Sequence, residues 1–221
     1  GEPPSFLTER SLSILSVDEI EKLRKDDQSN SESAATKVTS EECLMVRTIE
    51  ASKEIEPDAQ KKSIDEVFKI ITDVNKLGFN SIVKTVGLCY GDDTHRPSIV
   101  TEFVDSNLRD SVSSLSSSEK ARVAFQIAST MKIVHQKGIA HRRLNPNNVL
   151  VNKDHSVKIA DFSLSLVSKK DLTSDGEIVN FLAPEILSQN EVAVEDIEKA
   201  KLMDVFAFGS ILLFLLTDGK M

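Results

Sequence analysis

The sequence predicts an α+β protein of two lobes, a small strand-rich lobe followed by a mainly helical one. Three observations predict this class. Apolar and β-branched runs of strand length, with one long helical pattern among them, occupy the chain up to about residue 104. Helical spacing dominates after that point. A chain of 221 residues is long enough for one large domain or two small lobes with a sizeable core.

The first lobe combines predicted strands with one long helix. Residues 58–77 space their apolar side chains by three and four, which predicts a helix that Gly78 ends. Residues 17–24 fit either a short strand or a helical turn, and the polar stretch 25–42 is typical of a flexible loop. Strands are predicted at residues 43–50, 81–90 and 98–104.

The second lobe is dominated by two predicted helices. Residues 116–138 form an amphipathic pattern that Gly138 ends, and a helix over about 199–217 closes the chain. The polar stretch 163–182 is typical of a loop. Short strands are predicted at residues 148–152 and 157–160.

These patterns divide the chain into three parts. We predict a linker or lead-in at residues 1–16, an N-terminal lobe at 17–104 and a C-terminal lobe at 105–221, with a hinge near 102–105. The apolar run 202–216 is shorter than the roughly 20 residues of a membrane span and contains a charge, so we predict a helix buried on all sides.

Composition excludes several functional classes. The chain has 27 Lys and Arg against 35 Asp and Glu, a net charge of −8 that argues against nucleic-acid binding. Its two cysteines, Cys43 and Cys89, favour neither a disulfide framework nor a zinc site, so we expect a reducing compartment. No secretory signal or membrane span is predicted. We therefore expect a cytoplasmic protein.

One group of motifs is far more specific than the rest. Residues 141–148 read His-Arg-Arg-Leu-Asn-Pro-Asn-Asn, residues 161–163 read Asp-Phe-Ser, and residues 183–185 read Ala-Pro-Glu. This order and spacing resemble the protein kinase domain, whose motifs are H-R-D-L-x-x-x-N, D-F-G and A-P-E. The resemblance runs from about residue 18 to the end, and is nearest to the tyrosine-kinase-like serine/threonine kinases.

The resemblance makes the predicted fold more definite. It implies a bilobal protein-kinase-like fold, with a small antiparallel sheet and helix αC in the N-lobe. The C-lobe is expected to be mainly helical and truncated after helix αF, to which Asp204 belongs. We therefore expect a fragment or a degenerate gene product.

The parts that catalyse phosphoryl transfer are the ones that depart from the family pattern. Arg143 stands at the position of the catalytic base and Asn145 at that of the catalytic-loop lysine, and an arginine cannot act as a base in a protein. No glycine lies between Gly1 and Gly78, so the glycine-rich phosphate loop has no counterpart. No intact catalytic residue is expected.

The nucleotide site implied by the resemblance is also altered. Arg47 replaces the strand lysine, and Met45 stands where a small alanine usually lies above the adenine, either occluding that pocket or filling the core. The αC glutamate position falls at Ile70, with Glu66 one turn earlier as the alternative. The resemblance assigns nucleotide contacts to Arg47, Thr101 at the gatekeeper, Glu102, Val104 and Leu150.

Other family positions are retained. Asn148 and Asp161 match the magnesium ligands, although Asn148 can instead tie the loop together and Asp161 can pair with Arg143 or Arg47. The resemblance also implies four structural landmarks: His141, Phe162, Glu185 and Asp204.

These departures favour a pseudokinase, a protein-interaction or allosteric module in intracellular signalling. Its expected partner is a protein, for which an active kinase is one candidate, and it requires no cofactor, although weak binding of ATP and Mg²⁺ is compatible with the retained residues. The alternative is a weakly active or ATP-binding serine/threonine kinase that acts as a nucleotide-dependent switch. A truncated product without independent function is the third hypothesis.

Overall fold

A computed structural model describes residues 12–25, 35–37, 43–48, 57–92, 95–162, 178–188 and 196–220. The chain divides into two compact units. Unit 1 comprises Gly1–Lys76 and Val83–Phe103, and unit 2 comprises Leu77–Ile82 and Val104–Met221. The sequence placed residues 77–82 in the first lobe, but in the structure Ile82 forms a parallel bridge with Ile159 and so belongs to unit 2.

Unit 1 is built on a five-stranded sheet with the order β1-β4-β5-β3-β2. Its pairs are antiparallel except that β1 runs parallel to β4. The strands are β1 (Ser13–Ile14), β2 (Ala35–Lys37), β3 (Cys43–Thr48), β4 (Thr85–Cys89) and β5 (Ser98–Glu102). Apolar residues of β3, β4 and β5 form one buried cluster with Leu15, Ile20 and Leu23, which lie earlier in the chain.

Two helices accompany this sheet, α1 (Val17–Lys25) and α2 (Pro57–Lys76). The structure therefore decides the open prediction for residues 17–24 in favour of a helix. Ser16 and Glu19 begin α1 with a capping box, in which the Glu19 carboxylate accepts from the Ser16 N–H at 2.8 Å. Ile20 and Leu23 are the buried side of α1 and join the core cluster of the sheet.

Two short strands of unit 1 lie where the sequence predicted none. Ser13–Ile14 lies within the predicted linker, yet it pairs with β4, and the Leu15 N–H donates to the Leu88 carbonyl at 2.7 Å. A Cβ at Gly87 would collide with the Leu15 side chain, so this close packing needs a glycine. Ala35–Lys37 lies within the predicted loop and pairs with β3. Strands of two or three residues are too short to show a period-two pattern.

Unit 2 combines helices with a three-stranded antiparallel sheet of order β6-β7-β8. Short 3₁₀ turns lie at Val112–Ser114 and Val179–Phe181. The strands are β6 (Ser106–Asn107), β7 (Val149–Val151) and β8 (Val157–Ile159), and the helices are α3 (Leu108–Ser111), α4 (Ser117–Gln136), α5 (Pro184–Ser188) and α6 (Ile197–Leu216). The two long helices match the predicted helices to within a few residues.

The helix α4 has clear start and stop signals. Ser116 and Glu119 form a capping box at its first turn. Gly138, at φ 73°, follows its last turn in the left-handed conformation that glycine adopts without strain. Val123, Ile127 and Val134 are fully buried, so the predicted apolar face is the face that enters the core.

The helix α6 is not buried on all sides, contrary to the prediction. Its buried positions include Met203, Asp204, Ile211 and Phe214. A second row of apolar side chains along one side of the helix is exposed: Leu202, Val205, Phe206, Leu212, Leu213 and Leu216. Both faces are apolar in sequence, so the pattern alone could not tell them apart. Among the helices that the structure describes, none has both the length and the apolar run needed to cross a membrane.

Candidate functional site

The candidate site in unit 2 is the loop between α4 and β7, and a carboxylate of α6 holds this loop in place. Asp204 is only 2% exposed. Its carboxylate accepts hydrogen bonds from the backbone N–H of His141 at 2.7 Å and of Arg142 at 2.6 Å, and it lies 2.9 Å from the Nε2 of His135. A buried charge needs such partners, so the loop and α6 are fixed to each other.

Two residues of the site have a backbone conformation that side chains disfavour. Arg142 has φ 67° and Asp161 has φ 66°, both in the left-handed region. Each such residue costs about 1 kcal/mol or more. The hydrogen bond from the Arg142 N–H to Asp204 helps to hold Arg142 in this conformation. The bonds of Ala160, the residue before Asp161, to His141 and Asn148 help to hold Asp161.

The imidazole of His141 is fully buried and bonded on both sides. Its Nε2 lies 2.7 Å from the Ala160 carbonyl, which only accepts, and its Nδ1 accepts from the Arg143 N–H at 3.2 Å. Both contacts are satisfied by the neutral ring with its proton on Nε2. Burial lowers the pKa of His141, because the charged form would lose its hydration. The ring packs against Phe162 at 4.6 Å between centroids.

Arg143, at the position of the catalytic base, has a tightly held backbone. Its N–H bonds to His141, and its carbonyl accepts from the side-chain amides of Asn145 and Asn148, each at 2.9 Å. Its guanidinium Nη1 lies 3.6 Å from the Oδ2 of Asp161. That distance makes an ion pair rather than a hydrogen bond. The Arg143 Nε is buried without a hydrogen-bond partner, so the arginine is held there chiefly by charge.

Asn145 has a structural role that the sequence analysis missed. It is buried, its Nδ2 donates to the Arg143 carbonyl, and its Oδ1 accepts from the Asn147 N–H at 2.9 Å. A lysine at this position has no acceptor and could not make the second bond. The sequence carried a weak signal for this role, because an asparagine inside a Pro- and Asn-rich turn commonly bonds its own backbone.

Asn148 closes the same loop. It is buried, its side-chain amide donates to Arg143, and its backbone N–H donates to the Asn145 carbonyl at 3.0 Å. Its own carbonyl accepts from the Ala160 N–H at 2.9 Å, which connects the loop to the residue before Asp161. These bonds match the loop-tying interpretation of Asn148, one of the two that the sequence left open.

The residues at the candidate metal site do not fit a divalent cation. Protein kinases use Mg²⁺ with ATP, and the resemblance assigns its ligands to Asn148 and Asp161. Here the Asp161 carboxylate, with a side chain 8% exposed, already faces a guanidinium. A divalent cation at that carboxylate would be repelled by Arg143. Within the part of the chain that the structure describes, no group of three or more His, Cys, Asp or Glu could hold a metal ion.

The remaining predicted residues of unit 2 lie on its strands and on α5. Leu150 is half-buried on β7, opposite Lys158, and Val104 is buried. Glu185 is exposed on α5. The residue before α5, Ala183, packs with Met203 of α6 in an apolar cluster that anchors the Ala-Pro-Glu segment.

The predicted residues of unit 1 lie on neighbouring strands of its sheet. Thr101 and Glu102 on β5 face Met45 and Leu44 on β3. Glu102 also bonds Lys84 twice, with its N–H to the Lys84 carbonyl at 3.0 Å and its carboxylate from the Lys84 N–H at 2.7 Å. The backbone of Arg47 lies opposite Ile99, and its side chain lies outside the described residues.

The αC glutamate position was predicted at Ile70, on helix α2. Ile70 is half-buried in the structure, and Glu66, the alternative, is exposed. The neighbouring acid, Asp65, accepts a hydrogen bond from the Tyr90 hydroxyl at 2.8 Å. That bond raises the pKa of the tyrosine. It also ties α2 to the end of β4.

Comparison with known proteins gives one family. Residues 32–221 match the family model for protein tyrosine and serine/threonine kinases. The chain is 34% identical over 122 residues to putative mitogen-activated protein kinase 14C of Drosophila melanogaster, covering 54% of this chain and 33% of that protein. It is 30% identical over 168 residues to the tyrosine-protein kinase transforming protein Abl of Abelson murine leukemia virus, covering 71% of this chain and 21% of that protein.

A bacterial protein is similar as well. The chain is 34% identical over 127 residues to the probable serine/threonine-protein kinase PknB of Lactococcus lactis, covering 54% of this chain and 19% of that protein. The chain thus matches only 19–33% of the length of these three relatives.

Proposed function

Given that this chain belongs to the protein tyrosine and serine/threonine kinase family, we propose that it is a pseudokinase domain. In this proposal it transfers no phosphoryl group and acts by binding another protein in intracellular signalling. The residues that shape the loop are in place, whereas an arginine and an asparagine stand at the positions of the catalytic base and the catalytic-loop lysine.

The observation that carries the proposal is the arginine at the position of the base. Phosphoryl transfer to a hydroxyl needs a group that orients the hydroxyl and accepts its proton. Arg143 cannot accept a proton, and its charge is directed to Asp161 at 3.6 Å. The bonds from Asn145 and Asn148 to its carbonyl hold the backbone of Arg143 in this position. The presence of an arginine where the family has its carboxylate base supports the proposal that phosphoryl transfer is lost.

Two further departures support the same proposal. The segment between Gly1 and Gly78 contains no glycine, so no backbone loop of the glycine-rich kind can approach the phosphates closely. The resemblance places the αC glutamate position at Ile70 of helix α2, which has no charge to hold a lysine or arginine, with Glu66 one turn earlier as the alternative. Departures at the catalytic base, the glycine-rich loop and the αC glutamate position together are consistent with a domain that no longer transfers a phosphoryl group.

A phosphoryl-transfer assay tests the loss of activity. The purified chain is incubated with γ-labelled ATP, with Mg²⁺ or Mn²⁺, and with a generic protein substrate. We expect no label in the substrate or in the chain itself. An Asp161→Asn variant is the control for contaminating kinases. Incorporation that is present in the wild type and absent in this variant would refute the proposal.

The exposed apolar row of α6 supports the protein-binding half of the proposal. Its members lie on one face of the helix, and large exposed apolar surfaces of soluble domains commonly contact other proteins. Leu213, which is 51% exposed, lies within the row, whereas Phe125, which is 72% exposed, lies on α4 outside it.

Affinity capture with matched variants tests this half. Captured kinases and other proteins are quantified for the wild type, Leu213→Glu and Phe125→Glu. We expect Leu213→Glu to lose a partner that Phe125→Glu retains. Equal recovery with both variants would contradict a role for this face.

A second function, a nucleotide-dependent switch, has its own support in the retained Asp161 and in the hinge strand β5. Hinge recognition of adenine uses backbone groups, and β5 is well formed up to Glu102. A thermal-shift titration with ATP, with and without Mg²⁺, tests it. A Mg²⁺-dependent rise of the melting midpoint would favour the switch. A cooperative transition that ATP leaves unchanged would favour the pseudokinase.

A further inference from the structure

We propose that the guanidinium of Arg143 takes the place of a divalent cation at Asp161, so that this site excludes Mg²⁺ and Mn²⁺ as long as Arg143 is present. The proposal deepens the proposed function at the same loop and rests on its premise that Arg143 stands at the base position. It adds which group balances the charge of the Asp161 carboxylate, and the absence of phosphoryl transfer alone does not determine that group.

Arg143 and Asp161 lie close together, and their side chains are largely buried. Nη1 of Arg143 and Oδ2 of Asp161 are 3.6 Å apart, and their side chains are 25% and 8% exposed. Charges that are largely withdrawn from water are screened weakly. The guanidinium therefore neutralises the carboxylate directly, and a second cation would meet its repulsion at short range.

The backbones of Arg143 and Asp161 are both held by their neighbours. The backbone of Arg143 is bonded through its N–H to His141 and through its carbonyl to two asparagine amides. Asp161 lies between Ala160, which bonds His141 and Asn148, and Phe162, which packs against the His141 ring. The pair therefore joins two fixed pieces of backbone, and moving the guanidinium aside for a metal would separate this ion pair.

Asn148 is the other candidate ligand of a cation. Its side-chain amide already donates to the carbonyl of the same arginine. An asparagine binds a hard cation through its amide oxygen, and that oxygen remains chemically able to do so. Removal of the Arg143 charge removes its repulsion of a cation, so we expect the Asp161 carboxylate and the Asn148 amide oxygen to bind a divalent cation more tightly than in the wild type.

Direct binding of Mn²⁺ to the purified chain, followed by electron paramagnetic resonance, tests the proposal. We expect the wild type to show no Mn²⁺ binding that depends on Asp161. Arg143→Gln removes the charge and should bind Mn²⁺ at least about tenfold more tightly, as loss of a unit charge at this range implies. Arg143→Lys keeps the charge and is the matched control, so it should behave as the wild type does.

The double variant Arg143→Gln with Asp161→Asn locates the metal. Loss of the gained binding in this variant supports the proposal. Binding that persists there, or no gain in Arg143→Gln, overturns it. Wild-type binding that Asp161→Asn removes also overturns it, and this comparison needs no Arg143 variant to fold. Mn²⁺ binding is measured without phosphoryl transfer, so the two proposals can fail separately. A chain that transfers phosphate but excludes the cation would refute the proposed function and leave the exclusion of the cation by Arg143 standing.

Discussion

The carboxylate of Asp204 accepts a 2.7 Å hydrogen bond from the backbone N–H of His141, across 63 positions of sequence. The same carboxylate accepts from Arg142, so one buried charge on α6 fixes the start of the candidate loop. We expect Asp204→Asn to destabilise the chain by about 3 kcal/mol, because an amide turns an N–H₂ group toward N–H donors. Urea denaturation followed by circular dichroism measures this loss.

The matched control for this change is Asp196→Asn, at the exposed N-terminal cap of the same helix. Its side chain accepts from the N–H of Glu198 at 2.9 Å. Asparagine caps helices about as well as aspartate, so we expect less than about 0.5 kcal/mol. Equal losses from the two variants would mean that the charge of α6, and not its bonds to the loop, determines stability.

The buried imidazole of His141 predicts a loss of stability in mild acid. Burial lowers its pKa below the ordinary value of 6.5, so below that pH the unfolded chain binds a proton that the folded chain does not. Stability from this group is therefore complete above pH 6.5 and declines as the pH falls, by at most about 1.4 kcal/mol per pH unit.

Side-chain NMR titration of His141 measures this effect directly. The chain has four histidines, and assigned resonances separate them. We expect the His141 ring to remain neutral, with its proton on Nε2, well below the ordinary pKa. A normal titration midpoint would contradict the two-sided bonding of the ring to Ala160 and Arg143.

His95 in unit 1 predicts the opposite dependence. Its Nδ1 lies 2.9 Å from Asp92 and its Nε2 2.9 Å from Glu21, and these two hydrogen bonds raise its pKa above 6.5. The protonated ring therefore stabilises the fold fully below the unfolded pKa, and this stabilisation is lost as the pH rises through the folded pKa.

The variant Glu21→Gln isolates this contribution. We expect it to lower the urea midpoint more below pH 6.5 than in alkaline solution, because the charged pair exists only when His95 is protonated. Asp18→Asn removes the same charge from an exposed position of α1 and is the control. A deficit of Glu21→Gln that is independent of pH would show that the contact acts by packing alone.

Long periodic elements could be predicted from the sequence, and short or two-sided ones could not. The helices α2 and α4 show apolar spacing over about three turns each, and glycines follow them at 78 and 138. The strand Ser13–Ile14 has no such pattern and forms because β4 offers it a free edge. The exposed face of α6 is apolar, so spacing could not separate it from the buried face.

The candidate site shows the same division. Motif order placed Arg143, Asn148 and Asp161 in one loop region, and charge suggested an ion pair that the structure contains. The bonds of Asn145 to Arg143 and Asn147 could not be predicted, since they depend on the path of a loop with a left-handed residue at Arg142. Residue type constrains which bonds are possible, but the backbone decides which ones form.

Restoring the base position alone should not restore activity. We expect Arg143→Asp to transfer no measurable phosphate, because the glycine-rich loop has no counterpart and the αC glutamate position is predicted at Ile70. The assay is label transfer from ATP to a generic substrate in Mn²⁺, which the variant should now be able to bind. Transfer above that of an Arg143→Asp, Asp161→Asn double variant would show that the remaining parts suffice.

Met45 on β3 offers a test of the nucleotide site itself. It is half-buried and lies opposite Thr101, the residue at the gatekeeper position. A methionine where the family resemblance expects a small residue above the adenine should take up part of the space that the base needs. We therefore expect Met45→Ala to bind ATP more tightly than the wild type, by about tenfold if the loss of one steric contact is worth 1.4 kcal/mol.

The measurement is the ATP-dependent shift of the melting midpoint, which grows with affinity for the folded state. Met131→Ala is the matched control, because it truncates the same side chain in the core of unit 2. Both variants should melt earlier than the wild type without ATP, since each loses buried apolar surface. Only Met45→Ala should gain a larger shift with ATP. An unchanged shift would mean that Met45 fills the core of unit 1 and does not occlude a nucleotide.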